Sequence, residues 1–266
     1  MVIRALRRTA ERIATAAAAC AALTIGAAGQ PPASQPQSRP ATTAASQPQS
    51  GPKIVKPFEG VTVMIDESNP VRSRVEISGM SCLDAGWLEQ VACGPATREH
   101  ESLVVIKPKP SQIHAALLMA GFEPGKPGKW IYENDKFSVV EPTGAKLAIA
   151  VRYTNKEGKE VEHDIADWIR EPGGPDKEPK AFPHLPFIFG GSIIAKNTPD
   201  MGPGEHYVAD MTGSIIGLVT FGDEMIGFSK VRSDQDAVQE PIWEVNSENV
   251  PEMETRVTVI ISKWKD

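Results

Sequence analysis

The stretch KLAIAVRYT at residues 146–154 decides the expected fold, because its apolar and polar side chains alternate. Leu147, Ile149 and Val151 recur at every second position, which is the period of a strand with one buried face. The turn sequence NKEG at 155–158 follows, and an alternating segment through His163 resumes behind it. A strand, a tight turn and a second strand predict a β-hairpin, and therefore an antiparallel sheet.

Further strand patterns lie on both sides of this hairpin, each an alternating or short apolar segment of strand length. They occupy residues 61–65, 74–77, 102–106, 214–220 and 255–261.

The clearest helix pattern begins at Pro110. Ser111 is placed to cap its free amides, and Gly121 is placed to end it. This helix is apolar on nearly all of its sides, which predicts that it packs between two layers of the fold. The segment IADWIR at 165–170 predicts one or two more helical turns. The expected fold class is therefore α+β, sheet-rich and mostly antiparallel, with one main buried helix and short extra helices.

Residues 1–29 have the charge order of a secretory signal peptide. Arginines between Arg4 and Arg12 precede an uncharged stretch that ends at Ala28, and small residues provide a cleavage point before Gln30. We therefore expect a periplasmic or secreted protein. Cys20 follows three alanines, which leaves a lipoprotein as the alternative.

Residues 30–52 read QPPASQPQSRPATTAASQPQSGP, with six prolines and no large apolar side chain. Such a segment cannot bury enough apolar surface to offset the entropy of ordering, so we expect a disordered linker. The remaining residues, 53–266, are expected to form the globular domain.

The composition excludes several classes of protein. Lys and Arg number 28 against 34 Asp and Glu, a net charge of −6, which does not favour a nucleic-acid binder. Three cysteines are too few for a self-contained iron–sulfur cluster or a four-thiolate zinc site. No glycine-rich phosphate-binding motif is present, so no nucleotide cofactor is predicted. Behind the signal, no apolar run is long enough to span a membrane.

The candidate binding patch consists of Glu99, His100, Glu101 and Ser102, together with His114 on the predicted helix. In an extended chain, His100 and Ser102 would share one face and the two glutamates the other. His100 and His114 could hold a divalent metal, or a carboxylate could orient an imidazole for proton transfer. The alternative is that the histidines brace the strand–helix junction and that the glutamates are solvated. No residue is assigned a catalytic role.

Cys82 and Cys93 are the two thiols that remain after removal of the signal. An oxidising compartment favours a disulfide between them, and closure of so short a loop would contribute about 3 kcal/mol in the entropy model. Two small buried thiols are the alternative. Their sequence neighbours are acidic or apolar, so the local pattern does not predict a reactive thiolate.

Several motifs resemble one known family. They are LEQVAC ending at Cys93, EHES at 99–102, IHAAL at 113–117, GSIIGLVTFGD at 213–223 and WEVN at 243–246. They resemble the YdjY-like domain family of exported bacterial proteins, many of them from planctomycetes. The resemblance spans about residues 55–262. It implies a YdjY-like domain within 53–266 and an exported setting, and it implies no activity.

The most consistent interpretation is an exported cell-envelope protein that acts as a non-enzymatic binding or assembly module. Its expected partner is another envelope protein or a small ligand. The alternative is a metal-assisted hydrolase, or another metal-binding enzyme, built on residues 99–102 and His114.

Overall fold

The computed structural model describes residues 51–198 and 202–265. The predicted signal peptide, Cys20 and almost all of the predicted linker lie outside the described residues.

Strands account for most of the regular structure. In chain order they are β1 Lys53–Phe58, β2 Val61–Ile65, β3 Arg74–Ser81, β4 Gln90–Cys93, β5 Ser102–Ile106, β6 Pro124–Lys126, β7 Lys129–Glu133, β8 Lys136–Val140, β9 Thr143–Gly144, β10 Lys146–Thr154, β11 Glu160–Asp164, β12 Ile169–Glu171, β13 Lys180–Ala181, β14 Phe187–Ile188, β15 Ile194–Thr198, β16 Gly202–Tyr207, β17 Ser214–Gly217, β18 Ile226–Phe228, β19 Glu244–Val245 and β20 Arg256–Lys263. The helical segments are α1 Pro110–Met119, α2 Ala209–Thr212 and the 3-10 turns Pro70–Arg72, Glu99–Glu101 and Ile165–Trp168.

Eight strands close into a barrel in the order β3-β20-β10-β14-β18-β17-β4-β5. The ring closes because β5 pairs with β3, with Met80 opposite Val105. The pairs β4–β5 and β17–β18 are parallel, and the other pairs in the ring are antiparallel. Outside the ring, β2 extends the edge of β3, and β11 extends that of β10. The predicted hairpin at 146–163 is confirmed, with Thr154 opposite Glu160.

Alternating apolar residues explain why the long strands share a common interior. On β10, β20 and β3 every second side chain is buried, and the register places these side chains side by side: Ile149 opposite Ile261, Val151 opposite Val259, and Val259 opposite Ile77. These residues belong to one continuous hydrophobic core. The positions between them face the opposite side of the sheet, and this outer face carries the polar residues described below.

The expected α+β class is wrong, because the described chain is an all-β barrel with 45% of residues in strands and 11% in helical segments. The expected main helix exists as α1, but it does not lie between layers. It packs Ile113, Ala116 and Leu117 into the core beside β2 and β3, while Leu118 and Met119 are exposed. The barrel depends on pairings between distant segments, such as β3 with β5, which local periodicity does not reveal.

The helix start also differs from the expectation. Lys109 is the residue before the helix, and its backbone N–H donates to Gln112 Oε1 at 3.0 Å. The Ser111 hydroxyl instead donates to Asp210 Oδ2, within α2, at 2.6 Å. The IADWIR segment divides into a 3-10 turn and β12. Among the described helices, none has the length and apolar character needed to cross a membrane.

Candidate functional site

The loop at residues 94–101 joins the parallel strands β4 and β5 and carries most of the predicted patch. Glu99 Oε1 accepts a hydrogen bond from Ala96 N at 2.9 Å, which tightens the loop. The chain then forms a 3-10 turn rather than an extended segment. The expected arrangement, with His100 and Ser102 on one face and the glutamates on the other, is therefore wrong.

His100 and Ser102 have opposite environments. Ser102 is fully buried, and its Oγ donates to Arg98 O at 2.7 Å, so the hydroxyl closes the 3-10 turn. The His100 side chain is 73% exposed, and its Nε2 lies 3.4 Å from Glu101 Oε1. The imidazole can therefore meet solvent, whereas the hydroxyl cannot.

Glu101 contacts a carboxyl group that the sequence patterns did not single out. Its partner is Glu89, just before β4, whose backbone N–H donates to Glu101 O at 3.0 Å. Burial raises the pKa of Glu89 to about 8, and a hydrogen bond with the Glu101 carboxyl adds to the rise. One carboxyl of the pair therefore holds a proton at neutral pH.

Arg98 lies beside this carboxyl pair. Its Nη1 is 3.7 Å from Glu89 Oε2, and its guanidinium lies 3.8 Å above the centre of the Phe221 ring. The aromatic contact holds the cation close to the carboxyl pair without a short ion pair. The arrangement can donate or accept one proton at the surface of the barrel.

His114 has surroundings of its own. Its Nδ1 is 2.9 Å from the Tyr207 hydroxyl, and its ring packs edge-on against Phe189 and Tyr207 at centroid distances of 4.9 and 5.6 Å. Burial lowers the pKa of His114, which favours the neutral ring. None of these contacts involves His100 or the glutamates, so the structure does not join the two histidines into one site. In the part of the chain that the structure describes, no group of three or more His, Cys, Asp or Glu is placed to hold a metal ion.

Cys82 and Cys93 are both free thiols, so the expected disulfide is absent from this state of the protein and stays a prediction. They lie beside the same loop, because β3 and β4 both flank β5. Cys93 is fully buried, and Cys82 is partly exposed. The Cys82 thiol is the chief cause that lowers the pKa of Cys93, to about 7, and the Cys93 thiol is the chief cause that raises the pKa of Cys82.

Two cavities open on the outer surface next to these groups. The first, here called the cleft, has a volume of about 980 Å³, and its lining includes Ser78, Met80, Val105, Lys107, Arg256 and Thr258. The second, the thiol cavity, has a volume of about 580 Å³ and is lined by Cys82, Thr97 and His100, among others. Glu99, Met80 and Val105 border both cavities.

The strand register explains the floor of the cleft. Thr258 lies opposite Ser78, Arg256 opposite Met80, and Met80 opposite Val105 across β20, β3 and β5. All of these are outer-face positions. In the sequence, these residues occupy the positions between the buried apolar ones of each strand. Only the pairing of β3 with both β20 and β5 shows that they lie side by side.

Comparison with known proteins gives one positive result. No curated protein and no solved structure matches the chain. The family model described as the YdjY domain matches residues 64–262, from β2 to within β20. This range is well over half of the 266 residues. It includes the carboxyl pair, both thiols and most of the residues that line the cleft. The chain therefore belongs to the YdjY domain family.

Proposed function

We propose that this chain is an exported cell-envelope protein that binds an acidic ligand in the cleft and does not catalyse a reaction on it. The observation that carries the proposal is the cleft itself, with its hydroxyl groups and with two cations that have no partner among the described residues. Export is supported by the basic and then apolar order of residues 1–29, which is typical of a secretory signal.

The cations of the cleft differ in how well they are neutralised. Arg152 Nη2 lies 2.8 Å from Glu76 Oε2, and its Nε lies 3.9 Å from Glu160 Oε2. Within the described residues, the side chains of Lys107 and Arg256 have no hydrogen bond or ion pair. Their charges are therefore available to a ligand.

The polar groups of the floor add directional contacts. The hydroxyls of Ser78 and Thr258 lie on neighbouring strands, and neither is engaged by a described residue. Among the carboxylates of the lining, Glu99 accepts from Ala96 N, and Glu59 is the one at the rim that has no described partner. Among the described residues, two cations without an ion pair and two hydroxyls thus share the lining with two carboxylates that also lack an ion pair, Glu59 and Glu99.

The two cations of the lining, Lys107 and Arg256, favour a ligand that carries a carboxylate or a similar anionic group. Charge-assisted hydrogen bonds from Lys and Arg to such a group are stronger than bonds between neutral partners. The apolar side chains of Met80 and Val105 provide surface for the rest of the ligand, as in most small-ligand sites. A polar floor with apolar neighbours suits a molecule of modest size, either free or at the end of an envelope polymer.

Thermal unfolding with defined acids tests the proposal. We expect citrate or succinate to raise the Tm of the full chain, and the neutral analogue succinamide to leave it unchanged. A ligand at a hundredfold excess over its Kd contributes about 2.7 kcal/mol to stability. Lys107→Gln and Arg256→Gln should abolish the shift, whereas Lys136→Gln, on the separate β7–β8 hairpin, should keep it. Equal shifts in all the variants, or no shift with either acid, would contradict the proposal.

A further inference from the structure

The hairpin of β7 and β8 lies outside the barrel and forms a sheet of its own. The two strands pair with each other from Lys129 opposite Val140 to Glu133 opposite Lys136. Among the described strands, none other pairs with either of them. An isolated two-stranded hairpin is only marginally stable in water, and its unpaired edges are templates for pairing with another chain.

The hairpin exposes several apolar side chains. Ile131, Tyr132, Val139 and Val140 are each between 44% and 54% exposed. A single exposed apolar residue is common on a protein surface, but a group of four on one short hairpin indicates an interaction site.

Trp130 holds the base of the hairpin against the barrel. Its Nε1 donates to Thr220 O and to Asp234 Oδ1, both at 3.0 Å. Its ring stacks on that of Phe137 from the neighbouring strand, with a centroid distance of 6.3 Å. The exposed apolar residues are therefore presented on an anchored element.

The turn of the hairpin determines which backbone groups of β7 point away from β8. Residues 134–135 have φ values of 54° and 57°, as in the two-residue type I′ turn. The pair that closes such a turn, here Glu133 and Lys136, exchanges backbone hydrogen bonds, and such pairs then alternate along the strand. Trp130 and Tyr132 therefore direct their N–H and C=O groups to the other edge of β7.

The sequence of β7, KWIYE at 129–133, is complementary to a second copy of itself. Antiparallel pairing about Ile131 would set Lys129 of each copy opposite Glu133 of the other, so two attractive charge pairs would form. It would also set Trp130 opposite Tyr132 twice, and Ile131 opposite its own copy. Because Trp130 and Tyr132 direct their backbone groups to the edge, this register also satisfies the backbone hydrogen bonds.

We propose that the edge of β7 is a dimerisation site, which pairs antiparallel with β7 of a second copy of this chain about a two-fold axis at Ile131. The two hairpins then form a four-stranded sheet with the two β7 strands at its centre. The contact uses the same surface on both copies, so it closes with two chains. The inference goes beyond ligand binding in the cleft and does not depend on it.

The edge of β8 is less suitable for the same contact. Antiparallel pairing of two β8 strands about Ser138 sets Lys136 opposite Val140 and Phe137 opposite Val139. This register joins no opposite charges within the strand, whereas the β7 register joins two pairs of them.

Sedimentation velocity of the full chain measures the association. The contact is small, so the measurements extend to about 1 mM, where even a weak dimer is populated. We expect a monomer–dimer equilibrium that Ile131→Lys weakens by at least about tenfold, because two like charges then meet at the axis. Ile54→Lys, at an exposed isoleucine on the edge strand β1, is the matched control and should leave the equilibrium unchanged. A wild-type chain that stays monomeric, or equal weakening by the two substitutions, would overturn the proposal.

Charge reversal tests the register. Lys129→Glu and Glu133→Lys should each weaken the dimer by at least about tenfold, because each sets like charges opposite one another twice. An equimolar mixture of these two variants should dimerise again, because both charge pairs of a mixed dimer are attractive. Wild-type association of either variant alone, or no association of the mixture, would refute the register, and circular dichroism checks that each variant is folded.

Discussion

The carboxyl pair of Glu89 and Glu101 makes the stability of the barrel depend on pH in a defined direction. Burial and the Glu101 carboxyl raise the pKa of Glu89 from 4.5 to about 8. The folded chain therefore holds a proton that the unfolded chain releases between these two values. The free energy of unfolding should fall as the pH rises from about 4.5 to about 8, and the penalty should be complete above that range.

The magnitude follows from the size of the shift. Each unit of pKa corresponds to about 1.4 kcal/mol, which gives an upper limit of about 5 kcal/mol for an isolated group. Glu89 keeps 23% of its side chain exposed and has Arg98 nearby, so water and the cation screen the charge. We therefore expect about 1–2 kcal/mol.

The substitution Glu89→Gln isolates this contribution, because an amide is neutral and can donate to Glu101 as the protonated acid does. Urea unfolding of the reduced protein, followed by tryptophan fluorescence, gives the free energy of unfolding at each pH. Below about pH 4.5 the variant and the wild type should be nearly equal in stability, and above about pH 8 the variant should be more stable by about 1–2 kcal/mol.

The pH dependence can be assigned to Glu89 because a second titrating group cancels and because a control variant is available. Glu224, whose pKa burial raises to about 7, titrates in both proteins and cancels in the difference. The exposed residue Glu67 provides the control Glu67→Gln, which should show no such trend. A difference between Glu89→Gln and wild type that is constant across the pH range would refute the reasoning.

Three further predictions rest on separate features. His114→Ala should lower stability by about 1–3 kcal/mol because the partly buried Tyr207 hydroxyl loses its partner, whereas the exposed His100→Ala should change it by less than about 0.5 kcal/mol in the same urea assay. Gly213 has a φ of 72°, and an added Cβ would lie 2.4 Å from Thr97 Oγ1. Gly213→Ala should therefore cost at least about 1 kcal/mol more than Gly158→Ala, where φ is 74° and the space is open; equal costs would contradict the steric argument. Amino-terminal sequencing of protein from the native envelope should begin near Gln30, and recovery of Met1 would refute export.

Local strand pairing could be predicted from this sequence, whereas the closure of the ring could not. The segments at 61–65, 102–106 and 146–154 coincide with β2, β5 and β10, because each shows alternation or a short apolar run. The strands β14 and β18 contain two and three residues, and such short segments have no measurable period. They nevertheless complete the barrel, so the fold class was missed.

The residues of the predicted patch have different surroundings in the structure, and its role as a binding site stays a prediction. Residues 99–102 do lie beside a cavity, through Glu99 and His100, and the Glu101 carboxyl is one cause of the raised pKa of Glu89. His114 does not join them, because α1 turns its ring toward Tyr207 and Phe189. No sequence pattern singled out Glu89, and only the return of the chain through the loop at 94–101 brings it to Glu101. Contacts between segments that are distant in sequence do not change the local pattern of apolar and polar residues.

Backbone NMR spectra during a citrate titration test the central claim, that the cleft binds an acidic ligand, most directly. We expect saturable shifts at the amides of Ser78, Met80, Lys107 and Arg256, with the β7–β8 hairpin unaffected. Lys107→Gln should weaken the binding, because it removes one of the two cations of the lining that no described residue neutralises. Shifts that are confined to other surfaces, or that rise linearly without saturation, would contradict the claim.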